Sequence, residues 1–228
     1  MSMSLVRSGS PDAPTVVVVP ELMLAARDLR ALINAWVAAG WQVALCGLFE
    51  SPQPPPDYRL AIRELIPEAV HEGGPGTLLT GIGFGGHLAL FSAAAMGVSA
   101  PPVATIASGR VEVSAAPSTG IRGMFEGFGE SFGSLGNVFG RSSSRIASDD
   151  SADEARLAEV TTRVLTVAIA DDRSIPFDAV ARLACALNGN AEVEVVKTGA
   201  RPNTHLRWFR VDPGPVVATV SDWGQRIG

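Results

Sequence analysis

Residues 81–86 read Gly-Ile-Gly-Phe-Gly-Gly, between Thr77-Leu78-Leu79-Thr80 and His87-Leu88-Ala89-Leu90-Phe91. The leading segment reads as a buried strand and the trailing one as a buried helix, so the chain must pass from one to the other within a few residues. Glycine serves such a turn because it accepts a strained backbone and lets helix and strand approach closely. A tight strand-to-helix turn of this kind is also a ready cradle for phosphate, held by the free amides of the helix start. Gly81, Gly83 and Gly86 match the Gly-x-Gly-x-x-Gly spacing of dinucleotide sites. No acidic residue follows at the expected distance after a second strand, however, and the segment lies mid-chain rather than at the first strand.

The same hexamer has the outline of a nucleophile elbow, Gly-x-nucleophile-x-Gly, with Gly83 in the attacking position. Glycine relieves the strain of that turn and removes the side chain that would attack. An elbow of this type calls for an acid and then a histidine further along the chain. Val164 to Ile169 is an apolar, partly β-branched run that reads as a buried strand and ends in Asp171-Asp172-Arg173-Ser174-Ile175-Pro176. Val193 to Val196 reads as a further strand, followed by a polar loop and Thr204-His205-Leu206-Arg207-Trp208-Phe209-Arg210. Upstream, Thr15 to Val19 is a strand, Leu29, Leu32, Ile33, Trp36 and Val37 recur at helical spacing, Gly40 ends that helix, and Trp41 to Leu45 starts another strand.

In that order these stretches resemble the α/β-hydrolase superfamily over nearly the whole chain, in particular its compact bacterial branch of serine-aminopeptidase-like hydrolases. The resemblance implies a three-layer α/β fold, with a mostly parallel sheet flanked by helices, formed as one domain over residues 1–228. It implies Asp172 as the acid that orients a histidine and His205 as the base. Gly83 departs from the pattern as a vacant nucleophile position. By position the oxyanion-hole amides are those of Leu22 and Phe84, and Pro20-Glu21-Leu22 stands where His-Gly is usual. Backbone amides do not depend on side-chain identity, so such a hole can outlast the serine. Glu21 reads as a solvated residue leading into a helix; facing the pocket, it would oppose oxyanion binding. Ser108 follows a strand and is expected to line the pocket.

From Val111 to Asp153 the chain turns rich in Gly and Ser, at the point where family members insert a lid. Phe125, Phe128, Phe132, Leu135 and Phe139 follow steps of three and four, as one face of a helix would. Interleaved glycines cost such a helix about 1 kcal/mol each, and a mobile surface loop is the alternative. A helix here would pack on the pocket mouth, with Phe125 and Phe128 toward a ligand, or on a second subunit or protein partner.

Composition narrows the rest. A chain of 228 residues, 46% hydrophobic and 18% charged, suits one globular domain, and a net charge of −5 without basic runs excludes nucleic acid as a partner. No apolar stretch reaches membrane-spanning length, and Met1 to Pro14 lacks the apolar core of a secretion signal, so a cytoplasmic protein is expected. Cys46 reads as a buried thiol, and with Cys185 it gives no disulfide framework. His71 falls at a helix end, His87 one turn into the helix after the elbow, and neither forms a metal-ligand spacing; no cofactor is expected.

Without a hydroxyl or thiol beside the histidine, ordinary serine hydrolysis is not expected. Two readings remain. In one, the Asp172–His205 dyad acts as a general base, non-covalently, on a small, mostly apolar ester-like or carbonyl compound. In the other the chain is a pseudoenzyme that binds a ligand or partner, or a hydrolase inactivated by exchange of serine for glycine.

Overall fold

The computed structural model describes residues 4–21, 24, 26–47, 60–109, 155–170, 172, 174–199 and 207–227. Seven strands form one sheet: β1 (Ser4–Ser8), β2 (Thr15–Val19), β3 (Gln42–Gly47), β4 (Leu78–Ile82), β5 (Val103–Ile106), β6 (Val164–Ile169) and β7 (Ala191–Val196). Their order is β1-β3-β2-β4-β5-β6-β7, with every neighbouring pair parallel except β1 on β3. Parallel neighbours need crossovers, and helices on both faces supply them.

Side-chain alternation divides the core between those faces. Val16 and Val18 of β2 face one side, with α1 (Arg30–Ala38), α5 (Trp208–Val211) and α6 (Gly214–Ile227). Val17 and Val19 face the other, with α2 (Ile66–Gly73) and α3 (Phe84–Met96). On that second face α4 (Phe177–Cys185) sets Ala179 and Val180 against Ala168 of β6. The result is three layers, and because both faces are covered, β2 and β6 are buried along their whole length. Two tryptophans of the first face donate through their indole N–H groups, Trp41 to Ser221 Oγ at 3.0 Å and Trp223 to Glu192 Oε1 at 3.2 Å, while those of Trp36 and Trp208 are buried without a partner among the described residues.

The strand expected at Thr15 to Val19 has those bounds, as does that at Val164 to Ile169. β1, within Met1 to Pro14, is a strand that the sequence reading did not assign. Five residues are enough because β1 is an edge strand, held antiparallel with Leu5 opposite Cys46 and Val6 opposite Leu45. All of the proposed lid, residues 111–153 with Phe125 and Phe128, lies outside the described residues, as do Leu22 and His205.

Candidate active site

The carboxyl ends of β2, β4, β5 and β6 stand side by side along one edge of the sheet, where open α/β folds place their ligands. At the end of β4 the chain turns at Gly83, with φ +55° and ψ −121°, and enters the thirteen-residue helix α3 at Phe84. Such a φ is costly for any residue with a side chain, so the sharp turn of an elbow is present here in its unhindered form. Its backbone is firmly tied. Gly83 N–H donates to Ile106 C=O at 2.9 Å, and Gly83 C=O accepts from Gly86 N–H at 3.1 Å and Ser108 Oγ at 2.7 Å.

The space that a residue-83 side chain would fill is occupied. A Cβ built on Gly83 would fall on Glu21 Oε2 and lie 2.7 Å from Glu21 Cδ. That same Oε2 accepts the Phe84 N–H at 2.7 Å. One carboxylate thus takes both the place of the nucleophile and an amide assigned to the oxyanion hole. Gly85 makes the approach possible: a Cβ there would overlap Val19 C=O and stand 2.5 Å from Pro20 C=O, so only glycine lets the end of β2 lie against the first turn of α3.

Glu21 is therefore not the solvated residue expected from its neighbours in sequence; it is 7% exposed. The reason lies in its partner, an amide 63 residues further along, which also stands at a helix N-terminus, where a negative charge is favoured.

Asp172 is 8% exposed, just beyond β6. Its Oδ1 accepts from Ser174 N–H at 2.9 Å and Ile175 N–H at 3.2 Å, and its own N–H donates to Ile169 C=O at 3.2 Å. This local turn fixes the carboxylate at the strand end before Pro176 starts the approach to α4. Apart from His87, Glu21 and Asp172 are the buried ionic side chains among the described residues. Three strand spacings separate β2 from β6, or about 14 Å at roughly 4.8 Å each.

Ser108, expected to line the pocket, is 1% exposed and gives its hydroxyl to Gly83 C=O. Ala107, at φ +49°, turns the chain to bring that hydroxyl under the elbow. Thr80 Oγ1 donates to Ala104 C=O at 3.1 Å, so neither hydroxyl substitutes for a serine at position 83. His87 packs tilted against Phe91 at 6.5 Å between ring centroids. Burial pushes the Cys46 thiol up to about 12, which makes it a neutral core group. Among the described residues no cluster of three His, Cys, Asp or Glu could hold a metal ion, and no helix is long and apolar enough to cross a membrane.

No family model matches the chain, and no curated protein does. Solved structures do match in three dimensions. A monoacylglycerol lipase from Paleococcus ferrophilus superposes with a TM-score of 0.70 at 16% identity, covering 100% of both chains. An α/β hydrolase from Sphaerobacter thermophilus gives 0.66 at 15% identity, over 97% of this chain and 95% of that one. MenH from S. aureus gives 0.66 at 11% identity, over 99% of each. The protein has the α/β-hydrolase fold.

Sequence reasoning placed Gly83, Phe84 and Asp172 at this edge and missed the bond between Glu21 and Phe84.

Proposed function

We propose that this protein acts without an acyl-enzyme, on a small and mostly apolar ester-like or carbonyl compound, with general-base chemistry drawn from a site in which Asp172 orients His205. The observation that carries the reading is the Glu21 carboxylate seated in the space vacated at Gly83. A serine at position 83 would overlap Glu21 in its observed rotamer, so the absence of the nucleophile is matched by a second residue rather than standing alone. With the Phe84 N–H committed to Glu21, a tetrahedral oxyanion lacks one of the donors that acyl transfer requires.

Pre-steady-state kinetics with activated short- and medium-chain esters test this. The native chain is expected to give no acyl burst, and Gly83→Ser alone none either, because Glu21 occupies the site of the new side chain. The double variant Glu21→Ala/Gly83→Ser is expected to show a burst that His205→Ala then abolishes. A burst from the native chain overturns the proposal.

A further inference from the structure

We infer that Ser108 is a positioning residue of this site: acting through the Gly83–Phe84 peptide, its hydroxyl keeps the Phe84 N–H, the amide that the elbow offers, turned toward Glu21. The inference concerns the donor side of the site and does not depend on which residue serves as base, so it stands or falls apart from the reading above.

The Phe84 N–H is the first of α3, and the first amides of a helix have no carbonyl partner within it. Its direction is set instead by the plane of the peptide that joins it to Gly83. Turning that plane changes only ψ of residue 83 and φ of residue 84, and glycine tolerates a wide range of ψ. A flip would take the N–H away from Glu21 Oε2, now at 2.7 Å, and bring the Gly83 carbonyl oxygen toward the carboxylate. Something other than the steric limits of residue 83 must therefore hold the plane.

Two bonds grip its carbonyl end. Gly86 N–H, at 3.1 Å, belongs to the first turn of α3 and moves with that helix. Ser108 Oγ, at 2.7 Å, comes from just past the end of β5 and fixes the plane to the sheet. The peptide is thus held on both sides, its C=O by a hydroxyl and its N–H by a carboxylate, and each bond strengthens the other through the shared amide.

The neighbours of Ser108 are arranged around that hydroxyl. Ala107 has φ +49°, a conformation costly for a residue with a side chain, and it aims the next residue under the elbow. Gly86 leaves the room: a Cβ there would overlap Ser108 Oγ and lie 2.9 Å from Ser108 Cβ. The other acceptor near Oγ is Ile106 C=O at 3.3 Å, longer and already taking the Gly83 N–H at 2.9 Å, so the single hydroxyl proton belongs to Gly83 C=O.

Proton chemical shift and hydrogen exchange of the Phe84 amide, in the nitrogen-15-labelled full chain, test the inference. A bond to a carboxylate moves an amide proton downfield and slows its exchange. Ser108→Ala is expected to move the Phe84 proton upfield and to speed its exchange at least about tenfold relative to the amides of β4. Thr80→Val removes a buried hydroxyl bond of the same type, to Ala104 C=O at 3.1 Å, but outside the elbow, and is expected to leave both readings at their native values. Ser108→Cys, a weaker donor on a stem of equal length, is expected to fall between, and it carries the measurement if Ser108→Ala does not fold. Native shift and exchange at Phe84 in both Ser108 variants overturn the inference. An equal change in Thr80→Val does so too, since it would mark a general loosening of the sheet. An acyl burst from the native chain removes the proposed function and leaves this inference as it is.

Discussion

Asp172 and Glu21 are both carboxylates, both buried, and both set just past the end of a parallel strand, yet they are held in different ways. Asp172 is bonded by amides two and three residues further along its own loop, so these two bonds belong to one short turn. Glu21 is bonded by an amide 63 residues away, and it fits only because residues 83 and 85 have no side chains. A locally held carboxylate travels with its loop. One held across the sheet depends on several elements at once, and it changes what those elements can do.

Three substitutions and titrations bear on that difference. The largest effect is expected from Gly83→Ala, whose methyl would meet both the positive φ and the Glu21 carboxylate; denaturant unfolding should show a loss of about 3 kcal/mol. In a Glu21→Ala background the same change should cost about 1–2 kcal/mol, the part due to φ alone. Equal costs in both backgrounds would mean that the two residues are not coupled. Next, Asp172→Ala leaves the Ser174 and Ile175 amides short of their acceptor and should cost about 2 kcal/mol, with no coupling to Gly83→Ala, since strands β4 and β5 stand between β2 and β6. The smallest effect at neutral pH belongs to Cys46, at the end of β3. Its folded value is raised from 9.0 to about 12, so its contribution is complete below pH 9 and is lost as pH climbs from there toward 12. Cys46→Ala should flatten the alkaline limb of the stability curve, and an unchanged limb would assign the loss to other groups.

The fold was legible in the sequence wherever a segment is buried on both faces. Thr15 to Val19 and Val164 to Ile169 are continuous apolar or β-branched runs because parallel strands between two helical layers see no water. β1 escaped notice because an edge strand needs only half such a pattern: Leu5 and Val6 are flanked by Ser4, Arg7 and Ser8. Arg7 reaches Gln42 at 3.0 Å and pairs with Glu72, so its polar residues are part of how it is held. At the site, Gly83 and the Asp172 turn were legible because glycine at an elbow, and Asp followed by a proline-bounded loop, are local patterns. Glu21 was legible only in part, since its neighbours in sequence describe a residue leaving a strand, turned either to solvent or to the pocket. Nothing in Pro20-Glu21-Leu22 encodes an amide that arrives with α3.

At the far end of the sheet, β7 is the last strand among the described residues, and it leaves Val193 and Val195 37% and 55% exposed. Such an edge invites a second copy to pair with it. The sequence Ala191-Glu-Val-Glu-Val-Val196 opposes that, because Glu192 and Glu194 alternate with the valines. Two copies pairing antiparallel about Val193 would set Glu192 opposite Glu194, like charge on like. A shift of one residue would set glutamate against valine. Neither register is favourable. β7 thereby works against open-ended assembly, with its charges set where a second copy would have to pair.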